Sequence, residues 1–187
     1  MKEKKRCEWC NHEPIYQKYH DEEWGIPQHN DRALFELLIL EGAQAGLSWI
    51  TILKRRKTYK KAFDNFNVKK VAKYDEKKIA ELLKDEGIIR NKLKVRSAIK
   101  NAKVFLEIQK EFKTFDKYIW SFVDFKPIKN HFKTKKELPA RTELSDTISK
   151  DLKKRGMTFV GSTIIYAYMQ AIGIVNDHTS VCHLYKK

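Results

Sequence analysis

The sequence has no apolar run approaching the roughly 18 residues that a membrane span requires. The charged start, Met1 to Arg6, is followed by no apolar signal core. A soluble intracellular chain is therefore expected. Cysteine is scarce and odd in number, at 3. An odd count argues against a closed disulfide framework and leaves reduced thiols or metal ligands. Acidic residues are outnumbered, 24 against 39 Lys and Arg, for a net charge of +15. Such an excess attracts polyanions and speeds encounter with them, although a Lys-rich solubilising surface has the same composition. Repeats, low-complexity tracts and alternating strand patterns are all missing.

Helical periodicity is what remains. Of 187 residues, 42% are hydrophobic, enough for one globular domain or a compact pair of lobes. Pro14 can start a short helix reaching Tyr19. Asn30 or Asp31 can cap a helix to about Leu40, and Ser48 one to about Phe63. Asp75 can cap another, ended near Gly87. The pattern of Leu93, Val95, Ile99, Ala102, Phe105 and Ile108 predicts a long amphipathic helix from about Asn91 to Phe112. Further helices are predicted over Phe115–Phe122, from a Ser145 cap to Arg155, and over Ser162–Ile172, with Gly156 and Gly173 as stops. The fold class is all-α. The Lys-rich stretch from Phe125 to Lys136 reads as a surface connection.

Three constellations carry chemistry. Between two apolar stretches lies Glu41-Gly-Ala-Gln-Ala-Gly-Leu-Ser48, followed by Trp49. It reads as a helix-to-helix turn holding a carboxylate beside an aromatic wall, with a Gly46-Leu47 tip pushed outward. That combination suits an enzyme that takes a flat base out of a DNA stack. The same turn can also be a plain connection whose carboxylate only caps. Second, Cys7 and His20 lie near one end of the chain, and His178 and Cys182, four apart, near the other. Two thiolates and two imidazoles suit a tetrahedral zinc site that staples the two segments together. Cys10, three after Cys7, together with His12 and His183, keeps other ligand choices open. Third, Gly156-Met-Thr-Phe-Val-Gly161-Ser-Thr163 leads into a helix start. Its amides, with the hydroxyls of Ser162 and Thr163, can hold a DNA phosphate, or can simply form an αα turn. Gly87 to Lys92, with Lys94 and Arg96, is a weaker candidate for backbone contact. Trp9, Tyr16, Tyr19, Trp24 and Trp49 crowd the first quarter as core, pocket wall or both.

The segments Arg6–Trp9, Tyr19–Gly25, Leu40–Trp49, Gly87–Arg90, Trp120–Val123, Lys153–Gly156, Phe159–Ile164 and Val175–His178 run in order along nearly the whole chain. Together they resemble the 3-methyladenine DNA glycosylase I family of the helix-hairpin-helix glycosylases, with departures at Cys10 and His12. The resemblance implies a single glycosylase unit spanning residues 1–187, of two helical lobes. It implies one structural zinc ion per chain on Cys7, His20, His178 and Cys182, and a base pocket of catalytic Glu41 with Tyr19, Trp49 and Trp9. Tyr16 belongs to the same aromatic group. Gly46 and Leu47 match the loop that enters the DNA gap, and Phe159, Val160, Gly161, Ser162 and Thr163 match the DNA-binding hairpin. Asp177 falls where broader relatives carry a catalytic Asp, but it is not assigned that role beside His178. The implied activity is hydrolysis of the N-glycosidic bond of 3-methyladenine in alkylated double-stranded DNA, by a monomer in the bacterial cytoplasm. The alternatives are a zinc-stapled DNA-binding module without activity, or a glycosylase for another lesion.

Overall fold

The computed structural model describes residues 4–10 and 12–185. Its helices are α1 (Pro14–Glu22), α2 (Asp31–Gln44), α3 (Trp49–Ala62), α4 (Val68–Val71), α5 (Glu76–Lys84), α6 (Lys92–Phe112), α7 (Phe115–Ser121), α8 (Glu143–Lys154) and α9 (Ser162–Ala171). The all-α expectation holds apart from one small addition. Strands β1 (Ile128–Lys129) and β2 (Val175–Asn176) pair in parallel, Ile128 opposite Val175. Two residues are too few for a recognisable strand period.

The centre of the molecule is α2. Every residue from Leu34 to Ala43 is buried, and α2 packs against α3, α6, α7 and α9. A helix apolar on all sides belongs inside a core rather than on its surface. Asn30 starts it, its side-chain oxygen accepting from the amides of Arg32 and Ala33, each at 3.1 Å. Asp31, just inside, accepts from the amides of Phe115 and Asp116 at 2.9 and 2.8 Å and so fixes the start of α7.

The end of α2 differs from the sequence expectation. The helix continues past Leu40 to Gln44, so Glu41 stands on its last full turn rather than in a loop. Gly42 and Ala43 permit this because small residues fit where α2 meets a neighbour. A Cβ at Gly42 would lie 3.4 Å from that of Phe159. Lys94 closes the helix: its ammonium donates to the carbonyls of Ala43 and Ala45 at 2.8 and 2.6 Å. A cation at a helix C-terminus satisfies open carbonyls and opposes the helix dipole. Lys94 is thereby committed to the helix end, whereas the exposed Arg96 pairs with Glu76 at 2.6 Å.

Two caps also differ. Thr142, not Ser145, caps α8, and the two form a reciprocal box. Ser48 does begin α3, but its hydroxyl lies 2.7 Å from that of Thr51 instead of capping an amide.

The turn between α8 and α9 is pinned from beneath. Asn101 of α6 is buried, donates to the Thr158 carbonyl and accepts from the Thr158 amide, both at 2.9 Å. Ser149 donates to the Val160 carbonyl at 2.6 Å. These bonds hold Phe159 at φ 56°, a left-handed conformation costing a non-glycine residue roughly 1–2 kcal/mol. Replacing Asn101 by Ala leaves the half-buried amide and carbonyl of Thr158 without these partners, which costs on the order of 1–3 kcal/mol. Chemical denaturation of Asn101→Ala is expected to show that loss, with weaker binding of undamaged duplex under conditions where the variant remains folded.

Candidate functional site: an aromatic pocket beside a four-ligand cluster

The residues drawn from both ends of the chain meet. Cys7, His20, His178 and Cys182 are all buried, and one ligand atom from each lies within 4.8 Å of the others. The Cys182 sulfur is 3.5 Å from His20 Nε2 and 3.4 Å from His178 Nδ1. The Cys7 sulfur is 3.5 Å from the same His178 nitrogen. Each imidazole is oriented by its other nitrogen. His20 Nδ1 donates to Asp21 at 2.8 Å, and His178 Nε2 donates to the Trp24 carbonyl at 3.2 Å. The remaining lone pairs face the sulfurs. Asp21 is itself held by Arg6 at 2.9 and 2.8 Å. Burial opposes ionisation of Asp21, but Arg6 and His20 outweigh it and bring its carboxyl down to about 2. This carboxylate–histidine support is the outer shell usual for metal ligands. The contact between the sulfurs pushes the Cys7 thiol up and pulls the Cys182 thiol down. The cluster has the donor types and spacing to hold a metal ion. Cys10 and His12 stand outside this four-residue group.

The same segment builds a pocket. A cavity of about 300 Å³ is lined by Trp9, Tyr16, Tyr19, Trp24, Glu41 and Trp49, with further residues at its mouth. Tyr19 precedes the cluster residue His20 on α1, so α1 serves both sites. Trp9 meets Trp24 edge to face at 4.8 Å and lies 5.2 Å from Tyr16. Tyr19 and Trp49 stand 5.3 Å apart. The five base-site residues read from sequence thus share one cavity. Other lining residues went unassigned in the sequence, among them Trp24, Gln44 and Gln170. Trp24 was visible among the clustered aromatics. Gln44 is one helical turn beyond Glu41, a spacing hidden by the early helix stop. Gln170 comes from α9, and its amide donates to Asp177 at 2.7 Å. Asp177 is wholly buried and also accepts from Tyr166 and Asn130 at 2.6 and 2.7 Å. It acts as the hub of a structural network, in keeping with its lack of an assigned catalytic role.

Glu41 is the chemical anomaly. It is only 4% exposed, and its Oε2 has no hydrogen-bond partner among the described residues. The indole N–H groups of Trp9 and Trp49 are likewise buried and unpartnered. Two free donors and one free acceptor therefore face an aromatic-walled space, which suits a flat heteroaromatic ligand with polar edges.

The DNA-facing residues divide. Gly46 is exposed at φ 77°, and Leu47 is 40% exposed beside it. The loop tip is thus free, with Lys94 bracing its base. At the other turn the Val160 side chain is buried, leaving only its amide for contact, and the Ser162 hydroxyl lies 2.8 Å from that of Ser145. Phe159 is half-buried and Thr163 exposed. Nothing lies within 4 Å of a Cβ placed on Gly161, so a ligand can approach its backbone closely.

Burial alone lifts the Glu41 carboxyl from its ordinary 4.5 to about 8. The unfolded chain releases that proton near 4.5 while the folded protein keeps it. The associated stability is full below about 4.5 and is lost as pH rises toward about 8. Glu41→Gln abolishes this titration. Its melting temperature is expected to gain on that of the parent from about pH 5 to about pH 8 and then to run level. Parallel curves across that range would mean that Glu41 ionises freely in the fold.

Comparison with known proteins agrees with this geometry. A family model described as methyladenine glycosylase matches residues 9–185. The DNA-3-methyladenine glycosylase 1 of Escherichia coli K12 is 46% identical over 180 residues, covering 96% of each chain. A crystal structure of a 3-methyladenine DNA glycosylase I superposes with a TM-score of 0.94 at 43% identity, covering 97% of this chain and all of the other. A Tyr-to-Phe variant of 3-methyladenine DNA glycosylase I in complex with 3-methyladenine superposes at 0.92 and 32% identity, over 95% of this chain and 96% of that one. With the family model spanning nearly the whole chain, including every residue that lines the pocket, the chain belongs to the methyladenine glycosylase family.

Proposed function

We propose that this chain is a DNA repair glycosylase that extrudes 3-methyladenine from alkylated double-stranded DNA and hydrolyses its N-glycosidic bond. The observation that carries this reading is the buried, unpartnered carboxylate oxygen of Glu41 among aromatic rings. A buried carboxyl without a partner costs stability, so its place is understandable when a ligand supplies the missing charge and donors. Methylation at N3 makes the adenine of the nucleotide cationic, and the exocyclic amine it already carries becomes a stronger donor. Stacking on Trp and Tyr faces contributes roughly 1–3 kcal/mol per base. Normal adenine lacks the positive charge, so Glu41 favours the lesion over it.

The chemistry then asks little of the protein. The C1′–N9 bond breaks with its electron pair going to the base, which leaves as neutral 3-methyladenine. Water adds to C1′ and loses its proton, leaving an abasic site with the strand intact. Glu41 holds the base and complements its charge, and Tyr19, Trp49, Trp9 and Tyr16 hold its faces and edges, which limits its return to the stack. Gly46 and Leu47 fill the vacated gap. The amides from Phe159 to Thr163 grip phosphate without reading sequence. The chain acts as one unit of two helical lobes over residues 1–187, as a monomer in the bacterial cytoplasm.

Zinc is the metal that fits the four-ligand cluster. Bonds of about 2.3 Å to sulfur and about 2.0 Å to nitrogen, meeting at the tetrahedral angle, separate the two atoms by about 3.5 Å. The observed separations are 3.4–3.5 Å. With four protein ligands the ion would be structural. Zinc analysis of the purified protein is expected to give one equivalent, with Cys182→Ser lowering metal content and melting temperature together. A metal-free native protein, or a site lost in Cys10→Ser but kept in Cys7→Ser, contradicts the assignment.

The activity test is incubation with methylated DNA and identification of the released base. Free 3-methyladenine supports the reading, another base points to a different lesion, and no release favours a binding module. Single-turnover excision by Glu41→Gln is expected to fall about ten- to hundredfold, because hydrogen bonds to charged groups contribute roughly 1.5–3 kcal/mol. Binding of undamaged DNA should change little. Undiminished excision by a folded Gln variant removes Glu41 from the mechanism.

A further inference from the structure

Part of the wall of the base pocket comes from the connection between α7 and α8. Lys135, Leu138 and Pro139 line the cavity together with the aromatic residues of the first quarter. Lys135 is the only cationic residue among those lining it, just as Glu41 is the only anionic one. The two occupy different depths. Glu41 is buried, whereas Lys135 is exposed. Among the described residues Lys135 has no ion-pair partner. Its neighbour in sequence, Glu137, is turned back on its own turn, accepting from the Lys133 amide at 2.9 Å and the Thr134 hydroxyl at 3.3 Å.

The backbone beneath Lys135 is anchored rather than loose. Ile128 donates to Ile174 at 2.9 Å and Asn130 to Asn176 at 3.1 Å, and the Phe132 carbonyl accepts from Ser180 at 2.8 Å. Ser180 lies between the cluster residues His178 and Cys182. Leu138 closes the turn by donating to the Lys135 carbonyl at 3.2 Å. An unpaired ammonium is thus held at the mouth of a pocket proposed to receive a cationic base. Repulsion of that base makes no sense of the placement. The rest of the nucleotide does. A base drawn into the cavity leaves its sugar at the rim and its phosphates just outside.

We infer that Lys135 is a phosphate anchor for the extruded nucleotide, gripping the backbone of the damaged strand at the mouth of the pocket. This rests on the glycosylase reading above. The exposed Lys133 and Lys136 on either side extend the same positive edge along the strand. The role is positioning: the amine holds the nucleotide in its extruded state and takes no part in bond cleavage.

The test uses the full chain with excision titrated against methylated duplex at several salt concentrations. Lys135→Ala is expected to raise the half-saturating DNA concentration roughly three- to tenfold at low salt. It should also make the salt dependence shallower by about one phosphate contact. Lys135→Arg, which keeps the charge, should restore most of the loss. Binding of free 3-methyladenine, read by quenching of the pocket tryptophans, should be the same in all three proteins. An unchanged half-saturation and salt slope in Lys135→Ala overturns the proposal. So does an equal loss of free-base binding, which would place the amine on the base. Borohydride trapping of the parent on damaged DNA should give no cross-link. A cross-link that disappears in Lys135→Ala would make Lys135 a nucleophile instead. Excision by the unsubstituted protein is the control, since its absence would fault the glycosylase reading rather than the anchor.

Discussion

The burial of α2 on every side governs the rest of the molecule. Two glutamates ride on that helix, and both are removed from water. Glu36 is 5% exposed but bonded to Arg56 at 2.6 Å, with Lys60 at 3.3 Å. Glu41, one and a half turns on, is equally buried and has no such cation. The same helix thus carries one neutralised carboxylate and one left open. Buried ion pairs gain little over apolar packing, but a single buried charge is costly. The fold meets that cost at Glu36 with arginine and at Glu41 by holding a proton. The proton at Glu41 can leave when an incoming cation supplies the missing partner, so the second solution keeps a place for one.

The four-ligand cluster extends this constraint to the pocket walls. His178 accepts its orientation from the Trp24 carbonyl, and His20 follows Tyr19 directly. Gly25 comes so close to His178 that a Cβ there would lie 3.3 Å from the ring. Fixing the cluster therefore fixes Tyr19 and Trp24. Through Ser180 it also fixes the connection that bears Lys135. An ion held by these four ligands would thereby influence both sides of the pocket, by position alone.

Much of this was legible in the sequence because it is local or chemically specific. The helical period of α6, its start near Asn91, and the caps at Asn30 and Asp75 appear where expected. Four metal-binding residue types split between the chain ends are hard to explain separately. What stayed hidden depends on tertiary partners. The sequence Glu41-Gly-Ala-Gln reads as a break because glycine weakens helices. Only the approach of Phe159 and the Lys94 cap show why the helix continues. Lys94 itself looked like one more surface cation. Gln170 and Lys135 enter the pocket from segments more than ninety residues beyond Glu41, and no periodicity links them to it.

Gly42 connects the two halves of the proposed activity. It lies between the carboxylate at 41 and the Gly46-Leu47 loop, and it faces Phe159 of the hairpin. A Cβ there would already be in van der Waals contact with Phe159, so a side chain larger than alanine would press α2 against that turn. The distance from phosphate grip to base pocket is thus set by one packing contact. Extraction of a base requires that distance to stay fixed while the nucleotide rotates out between the two. The left-handed Phe159, pinned through Thr158 by Asn101, makes the hairpin side of the contact rigid. The buried α2 makes the other side rigid. Strain in the complex therefore falls on the DNA, whose stacking is the softer element.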